Sequence, residues 1–216
     1  MNEYDGTYAA HKNFFGVAPE LILTQFADLI SPDHPVLDIG AGQGRNAFYL
    51  ARRGFSVIAM DSSFQSARIL RKTASEEEFA LSVVHGDVRS FQPKEPLSAV
   101  LLFGLFQLIS RSDIQLLVSR IRDWTIVGGL VFVTAFSTED NGIRMLSEEW
   151  KETEPHSYRN DRGEVQTWLE PEEILTLFHG TKVLYHREGP GKWHRHGDGP
   201  LEQHGMIEAV FQLKEK

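Results

Sequence analysis

The stretch Pro35-Val36-Leu37-Asp38-Ile39-Gly40-Ala41-Gly42-Gln43-Gly44-Arg45-Asn46 leaves the backbone few choices. An apolar, β-favouring run stops at three glycines spaced two apart, and a helical pattern follows. Glycine at that spacing serves a chain that must take positive φ or let a ligand approach the main chain closely. A strand over 56–60 comes next and ends at Asp61, about 20 residues past the turn, the distance at which a carboxylate in a nucleotide-binding βαβ unit meets ribose hydroxyls. Together the two features predict an adenosine cofactor. An ordinary tight loop is the bland alternative, and the pairing of Asp38 with Asp61 weighs against it.

Spacing also bears on which adenosine cofactor is held. A dinucleotide fingerprint, Gly-x-Gly-x-x-Gly, would place its third glycine at residue 45, which is Arg45. A bulky cation there obstructs the helix–strand packing that this glycine serves. Asp38, two residues before the turn, would repel a pyrophosphate, whereas it suits a ligand carrying an ammonium and a sulfonium. S-adenosylmethionine has both.

At 216 residues and a formal net charge of −8, the chain has the size of one domain and lacks the cationic surface that nucleic acid requires. A small oxyanion remains compatible with that charge. No apolar run approaches the ~18 residues of a membrane span. The first residues carry neither the basic nor the apolar region of a signal peptide, so a cytoplasmic location is the expectation. With no cysteine, disulfides, thiolate metal sites and a cysteine nucleophile are excluded.

Strands are expected over 36–39, 56–60, 81–85, 99–103, 130–136, 183–186 and 207–213. Helices are expected from Pro19 (apolar Ile22, Phe26, Leu29 and Ile30), after the glycine turn, over 62–74, after a cap at Ser110, and from Pro171 to near Gly180. The Glu76-Glu77-Glu78 run reads as a solvated helix end. Alternating strands and helices predict an α/β, Rossmann-like, doubly wound sheet with its ligand at the carboxyl ends of the strands. The glycine turn, Asp61, Asp87 and Phe103-Gly104 all fall at such ends. Residues 137–170 and 188–204 show no periodicity, which reads as long binding loops.

With these residues in view, the chain resembles class I S-adenosylmethionine-dependent methyltransferases over nearly its whole length. Val36–Gly44 is similar to that superfamily's first motif and His85-Gly86-Asp87-Val88 to its third, although Ser98 stands where an acid often starts the fourth strand. The resemblance implies a seven-stranded sheet with an antiparallel last strand, in a single methyltransferase domain spanning 1–216. Its parts are an N-terminal lid and helix (1–34), a cofactor half (35–136) and an acceptor half (137–216). It implies that Asp38, Gly40, Ala41, Gly42, Gly44 and Asn46 surround the methionine moiety. Asp61 and Ser62 would hold the ribose, Asp87 and Val88 the adenine, with Phe103 and Gly104 lining the cofactor floor. S-adenosylhomocysteine would be the product.

A narrower similarity is to bacterial tellurite-resistance (TehB-like) methyltransferases. It rests on Gly44-Arg45-Asn46-Ala47, Phe15-Gly16-x-x-Pro19 and the tail Trp193-His194-Arg195-His196 followed by Gln203-His204-Gly205-Met206-Ile207-Glu208. A small-molecule acceptor of the tellurite or selenite type is implied, with the His194-Arg195 pair at the acceptor site. Glu202 occupies the place nearest to a further basic residue expected there, and His204 is a substitute. Arg195 would anchor an oxyanion, and His194 or His196 would exchange a proton. The catalytic candidates are therefore His194, Arg195 and His196, and no metal is expected. The alternatives are a solvated loop or a His-x-His metal site with His204. Tyr4 and Tyr8 read as a lid or a loose terminus; Trp150, Tyr158 and Trp168 read as acceptor walls or as packing of the insertion. A nicotinamide oxidoreductase and a non-catalytic cofactor binder remain as competing functions.

Overall fold

The computed structural model describes residues 3–146, 148–195, 197 and 199–215. A seven-stranded sheet forms its centre, in the order β3-β2-β1-β4-β5-β10-β9. The strands are β1 (Val36–Ile39), β2 (Val57–Asp61), β3 (Leu81–His85), β4 (Leu97–Phe103), β5 (Thr125–Phe136), β9 (Lys182–Pro190) and β10 (Gly205–Gln212). The first five pair in parallel, while β10 runs antiparallel to both β5 and β9. Chain order reverses at β1, whose neighbours are β2 and β4, so a crevice opens at the carboxyl ends of these strands.

Both faces of the sheet's centre are covered, so the central strands β1 and β4 read as near-continuous apolar runs. Leu37, Ile39, Val100 and Leu102 pack with Ile114, Leu117, Ile121 and Trp124 of helix α5 (Arg111–Trp124). Val36, Ala59, Leu101 and Phe132 face the other way. They meet Ile22 and Leu23 of α2 (Leu21–Phe26), Ala47 and Leu50 of α3 (Arg45–Arg52), and Leu70 of α4 (Phe64–Glu76). Ser110 caps α5 as its sequence implies, its hydroxyl accepting the Asp113 N–H at 3.2 Å. No helix among the described residues is long and apolar enough to cross a membrane.

Three elements depart from expectation. The helix after Pro19 stops at Phe26 and tightens into a 3-10 turn over Ala27–Leu29; the changed pitch takes Leu29 off the apolar stripe and leaves it 56% exposed. The helix after Pro171 is only α6 (Glu173–Leu177). Residues 137–170 hold a 3-10 turn (Asn141–Met145) and a three-stranded antiparallel sheet of β6 (Lys151–Glu154), β7 (Ser157–Arg159) and β8 (Val165–Thr167). Strands of three or four residues are too short to show an alternation.

This small sheet is tied to the main body at Arg111. Its guanidinium pairs with Glu173 and donates to the Pro155 and Trp168 carbonyls at 2.6 and 2.8 Å. Arg111→Ala is expected to cost about 3 kcal/mol, because it strands a poorly exposed carboxylate and two carbonyls. The check is a urea midpoint compared at constant slope. An unchanged midpoint would show that the small sheet is held by its apolar side alone.

Candidate active site

The glycine turn adopts the conformation that its composition demands. Gly40, Gly42 and Gly44 have φ of 74°, 54° and 91°, a region that penalises any side chain. The Gly40 and Ala41 N–H groups donate to the Met60 carbonyl at 2.8 and 3.0 Å, locking the turn onto β2. Gly44 then begins α3. Arg45, which sequence reasoning placed against a dinucleotide, turns outward to pair with Glu20.

Two buried carboxylates flank this turn. Asp61 is 8% exposed; its Oδ2 accepts the Gly42 N–H at 2.7 Å and its Oδ1 the Ser63 N–H at 2.8 Å. Burial raises its carboxyl above the ordinary value, and those two N–H groups oppose the rise. Asp38 is 2% exposed, and its Oδ2 has no hydrogen-bond partner. Burial pushes it up to about 7; Arg45 lowers it and Asp61 raises it further. A buried carboxylate oxygen without a partner is costly in a native protein and calls for a donor from outside the chain.

Asp87, at the end of β3, is partly exposed. Hydrogen bonds from the Arg89 side chain hold its carboxyl below the usual range. Val88 beside it is buried. Gly104 follows β4 with φ of 67°, and its N–H reaches Thr134 Oγ1 at 3.0 Å, while Phe103 is half-buried next to it. Ala41 is buried and Ser62 exposed. Asn46 is turned inward, accepting the Glu20 N–H on Oδ1 at 2.9 Å, so it secures the segment before α2.

Helix α1 (Glu3–Ala10) and the residues after it lie over the turn. Asp5 accepts the Ser63 hydroxyl at 2.7 Å, and Tyr8 stacks on Tyr4 with ring centroids 5.6 Å apart. The Tyr8 hydroxyl is so near Gly42 that an added Cβ would sit 3.1 Å from it. Gln43, which sequence reasoning did not single out, accepts the Phe14 N–H at 2.6 Å and donates to the His11 carbonyl at 2.9 Å. The Phe14 carbonyl in turn accepts the Gly197 N–H at 3.2 Å. One chain of contacts therefore joins the glycine turn, the N-terminal segment and the histidine hairpin.

That hairpin is closed by a bridge between His194 and Glu202. His194 is half-buried with its ring 5.4 Å from that of His204, whereas Arg195 is exposed and donates to the Gly199 carbonyl at 2.9 Å. His196 lies outside the described residues. Asp140, also missed from sequence, is 3% exposed and accepts His204 Nδ1 at 3.2 Å and the Gly205 N–H. An acid a few residues past a strand's carboxyl end, as at Asp87 after β3, was the signal that marked it. Among the described residues, no group of three His, Asp or Glu could hold a metal. Trp168 packs at 2% exposure, so it is part of the insertion's core.

The residues present fit S-adenosylmethionine. Asp38 Oδ2 would take its ammonium, the glycine turn its methionine backbone, Asp61 its ribose hydroxyls and Asp87 its adenine amine. A family model described as a methyltransferase domain matches residues 36–129. The probable S-adenosyl-L-methionine-dependent methyltransferase TehB of Haemophilus influenzae is 29% identical over 150 residues, covering 64% of this chain and 52% of that protein. The chain thus spans about half the length of the TehB protein it matches. The crystal structure of TehB from Haemophilus influenzae superposes with a TM-score of 0.72 at 20% identity, over 90% of this chain and 62% of that one. A Burkholderia thailandensis 1,6-didemethyltoxoflavin-N1-methyltransferase, bound to its substrate and S-adenosylhomocysteine, gives 0.63 at 16% identity over 88% and 75%. Residues 36–129 are thus similar to a methyltransferase domain, and the fold is the one that TehB and other solved methyltransferases share.

Proposed function

We propose that this chain transfers the methyl group of S-adenosylmethionine to a small acceptor, with a tellurite- or selenite-type oxyanion as the specific candidate. The observation that carries the cofactor side is the unpartnered buried oxygen of Asp38 beside the glycine turn. The likeness to TehB and the His194-Arg195 hairpin support the oxyanion. The three segments 1–34, 35–136 and 137–216 act as one unit: cap, cofactor half and acceptor half.

A sulfonium supplies an already activated methyl group, so the cofactor carries the difficult chemistry. What remains for the protein is alignment and exclusion of water. Asp38 and Asp61 fix the donor's two ends, the Tyr4–Tyr8–Phe15 cluster covers the turn, and the histidine hairpin stands over the carboxyl end of β5.

Titration calorimetry with S-adenosylmethionine, S-adenosylhomocysteine, NAD and NADP tests the cofactor. Binding of the two adenosyl sulfur compounds alone is expected. Asp61→Ala should weaken it roughly 100-fold, the worth of charge-assisted hydrogen bonds to two hydroxyls. Binding of NAD instead would overturn the assignment. Release of S-adenosylhomocysteine with tellurite or selenite, lowered in Arg195→Ala, tests the acceptor; turnover of both ions unaffected by that change would remove the anchor role.

A further inference from the structure

Residues 137–140 and 204–205 form a cluster that methyl transfer to a bare anion does not need. The carboxylate of Asp140 is almost fully buried and serves three donors. Its Oδ1 accepts the Gly142 N–H at 2.6 Å, and its Oδ2 accepts the Gly205 N–H and His204 Nδ1. The Gly205 carbonyl accepts the Ser137 N–H at 2.8 Å, and a Cβ on Gly205 would lie 2.7 Å from the Asp140 nitrogen. The backbone that carries His204 is thereby pinned to the turn after β5. Its ring lies on Phe136, with centroids 4.6 Å apart and planes 30° from each other. Among the described residues, the charged and titratable groups around the imidazole are Asp140 from that turn and Glu202 and His194 from the hairpin; Glu202 Oε2 is 3.4 Å from Nε2.

This arrangement has a direction. Carboxylates face both ring nitrogens, but only the Nδ1 contact to the buried Asp140 has hydrogen-bond geometry, which favours hydrogen on Nδ1 and leaves the lone pair on Nε2. Phe136 ends β5, whose Thr134 meets Gly104 at the end of β4, so His204 stands on the edge of the sheet that holds the cofactor turn.

We propose that His204, oriented by Asp140, is the general base of the acceptor side, and that the site is built for a methyl acceptor that arrives carrying a proton. This rests on the methyl-transfer reading above and narrows its substrate class to the hydrogen form of an oxyanion or a small organic O–H or N–H compound. As the acceptor forms its bond to the methyl carbon, the carbon–sulfur bond breaks and its electron pair stays on sulfur. The acceptor's proton passes to Nε2, and the resulting imidazolium donates to Asp140. Glu202, partly exposed beside Nε2, takes the proton on to water.

The test has two arms. In protein labelled with nitrogen-15 histidine, the His204 resonance is identified by its loss in His204→Gln. At pH 8 it should show hydrogen on Nδ1, and Asp140→Asn should shift it toward the other tautomer. Hydrogen on Nε2 in the wild type, or no shift in Asp140→Asn, overturns the proposal. In the second arm, S-adenosylhomocysteine release is followed with tellurite, selenite and catechol. His204→Gln should lower kcat about 100-fold or more and abolish the acid limb of its pH profile, as loss of a general base does. Its calorimetric affinity for S-adenosylmethionine should stay within about twofold. A variant that keeps kcat and the acid limb overturns the proposal, and the tautomer decides where no probe turns over. A wild type that fails to bind S-adenosylmethionine defeats the methyl-transfer reading instead, a result separate from either tautomer. His204→Gln leaves the Asp140 contacts to Gly142 and Gly205 in place, so it stays informative if Asp140→Asn misfolds.

Discussion

Gly44→Ala is expected to destabilise the protein by about 2–5 kcal/mol, and to abolish cofactor binding in whatever remains folded. Two costs add. At φ of 91° an L-residue is strained, and the new Cβ would lie 2.4 Å from Phe48 Cε2 and 2.7 Å from Leu70 Cδ2. Neither ring nor isobutyl group has room to yield, since Phe48 and Leu70 are buried between α3, α4 and the sheet. A control separates the costs: Gly54 has φ of 87° with nothing within 4 Å of its Cβ. Gly54→Ala should therefore show the conformational term alone, about 1 kcal/mol. At 2–4 °C per kcal/mol for a chain of this size, thermal unfolding should place the two variants roughly 2–16 °C apart. Equal melting points would mean that α3 and α4 separate easily, and that the third glycine of the turn serves only its own backbone.

What was legible in the sequence was what local chemistry forces. Three left-handed residues need glycine wherever the chain goes next, so the turn could be read without knowing its surroundings. Buried parallel strands announce themselves as apolar runs, and the order of strands and helices then leaves few topologies. Residues 137–216 are held by contacts distant in sequence. Asp140 meets Gly205 across 65 residues and Arg111 meets Glu173 across 62. Nothing in the neighbours of either residue records such a partner. The His194-Arg195 pair came from the resemblance of the hairpin, and the two side chains have separate contacts. His194 turns toward His204 and Arg195 toward the hairpin tip at Gly199. The N-terminal aromatics show the opposite outcome: Tyr4 and Tyr8 stand one helical turn apart, and helix α1 brings them together over the glycine turn.

The largest effect of pH is expected at Asp38. Its carboxyl has an ordinary value of 3.8 and is pushed by burial to about 7 in the folded chain. Between those values the folded state keeps a proton that the unfolded state has lost. Stability therefore falls as pH rises from about 4 to about 7 and levels off above. A gap of about three pH units, at about 1.4 kcal/mol each, is on the order of 4 kcal/mol. A ligand ammonium reverses the preference, because the ionised carboxylate is then the favoured partner and the proton must leave for the ligand to bind. Affinity for S-adenosylmethionine should accordingly rise by up to about tenfold per pH unit below 7 and become flat above it, with proton release detectable as a buffer-dependent binding enthalpy. Asp38→Asn keeps the shape and removes the titration. Without ligand it should be more stable than the wild type at pH 8 and lack this part of the pH slope, while binding the cofactor about 10–100-fold more weakly there. Wild type and variant with parallel stability profiles would show that Asp38 stays ionised throughout, its unpartnered oxygen answered by ordered water. A buried acid that costs the free protein stability at neutral pH, and regains it when a cation arrives, gives the site a preference for positively charged donors over phosphates, which is the discrimination that Asp38 suggested from sequence.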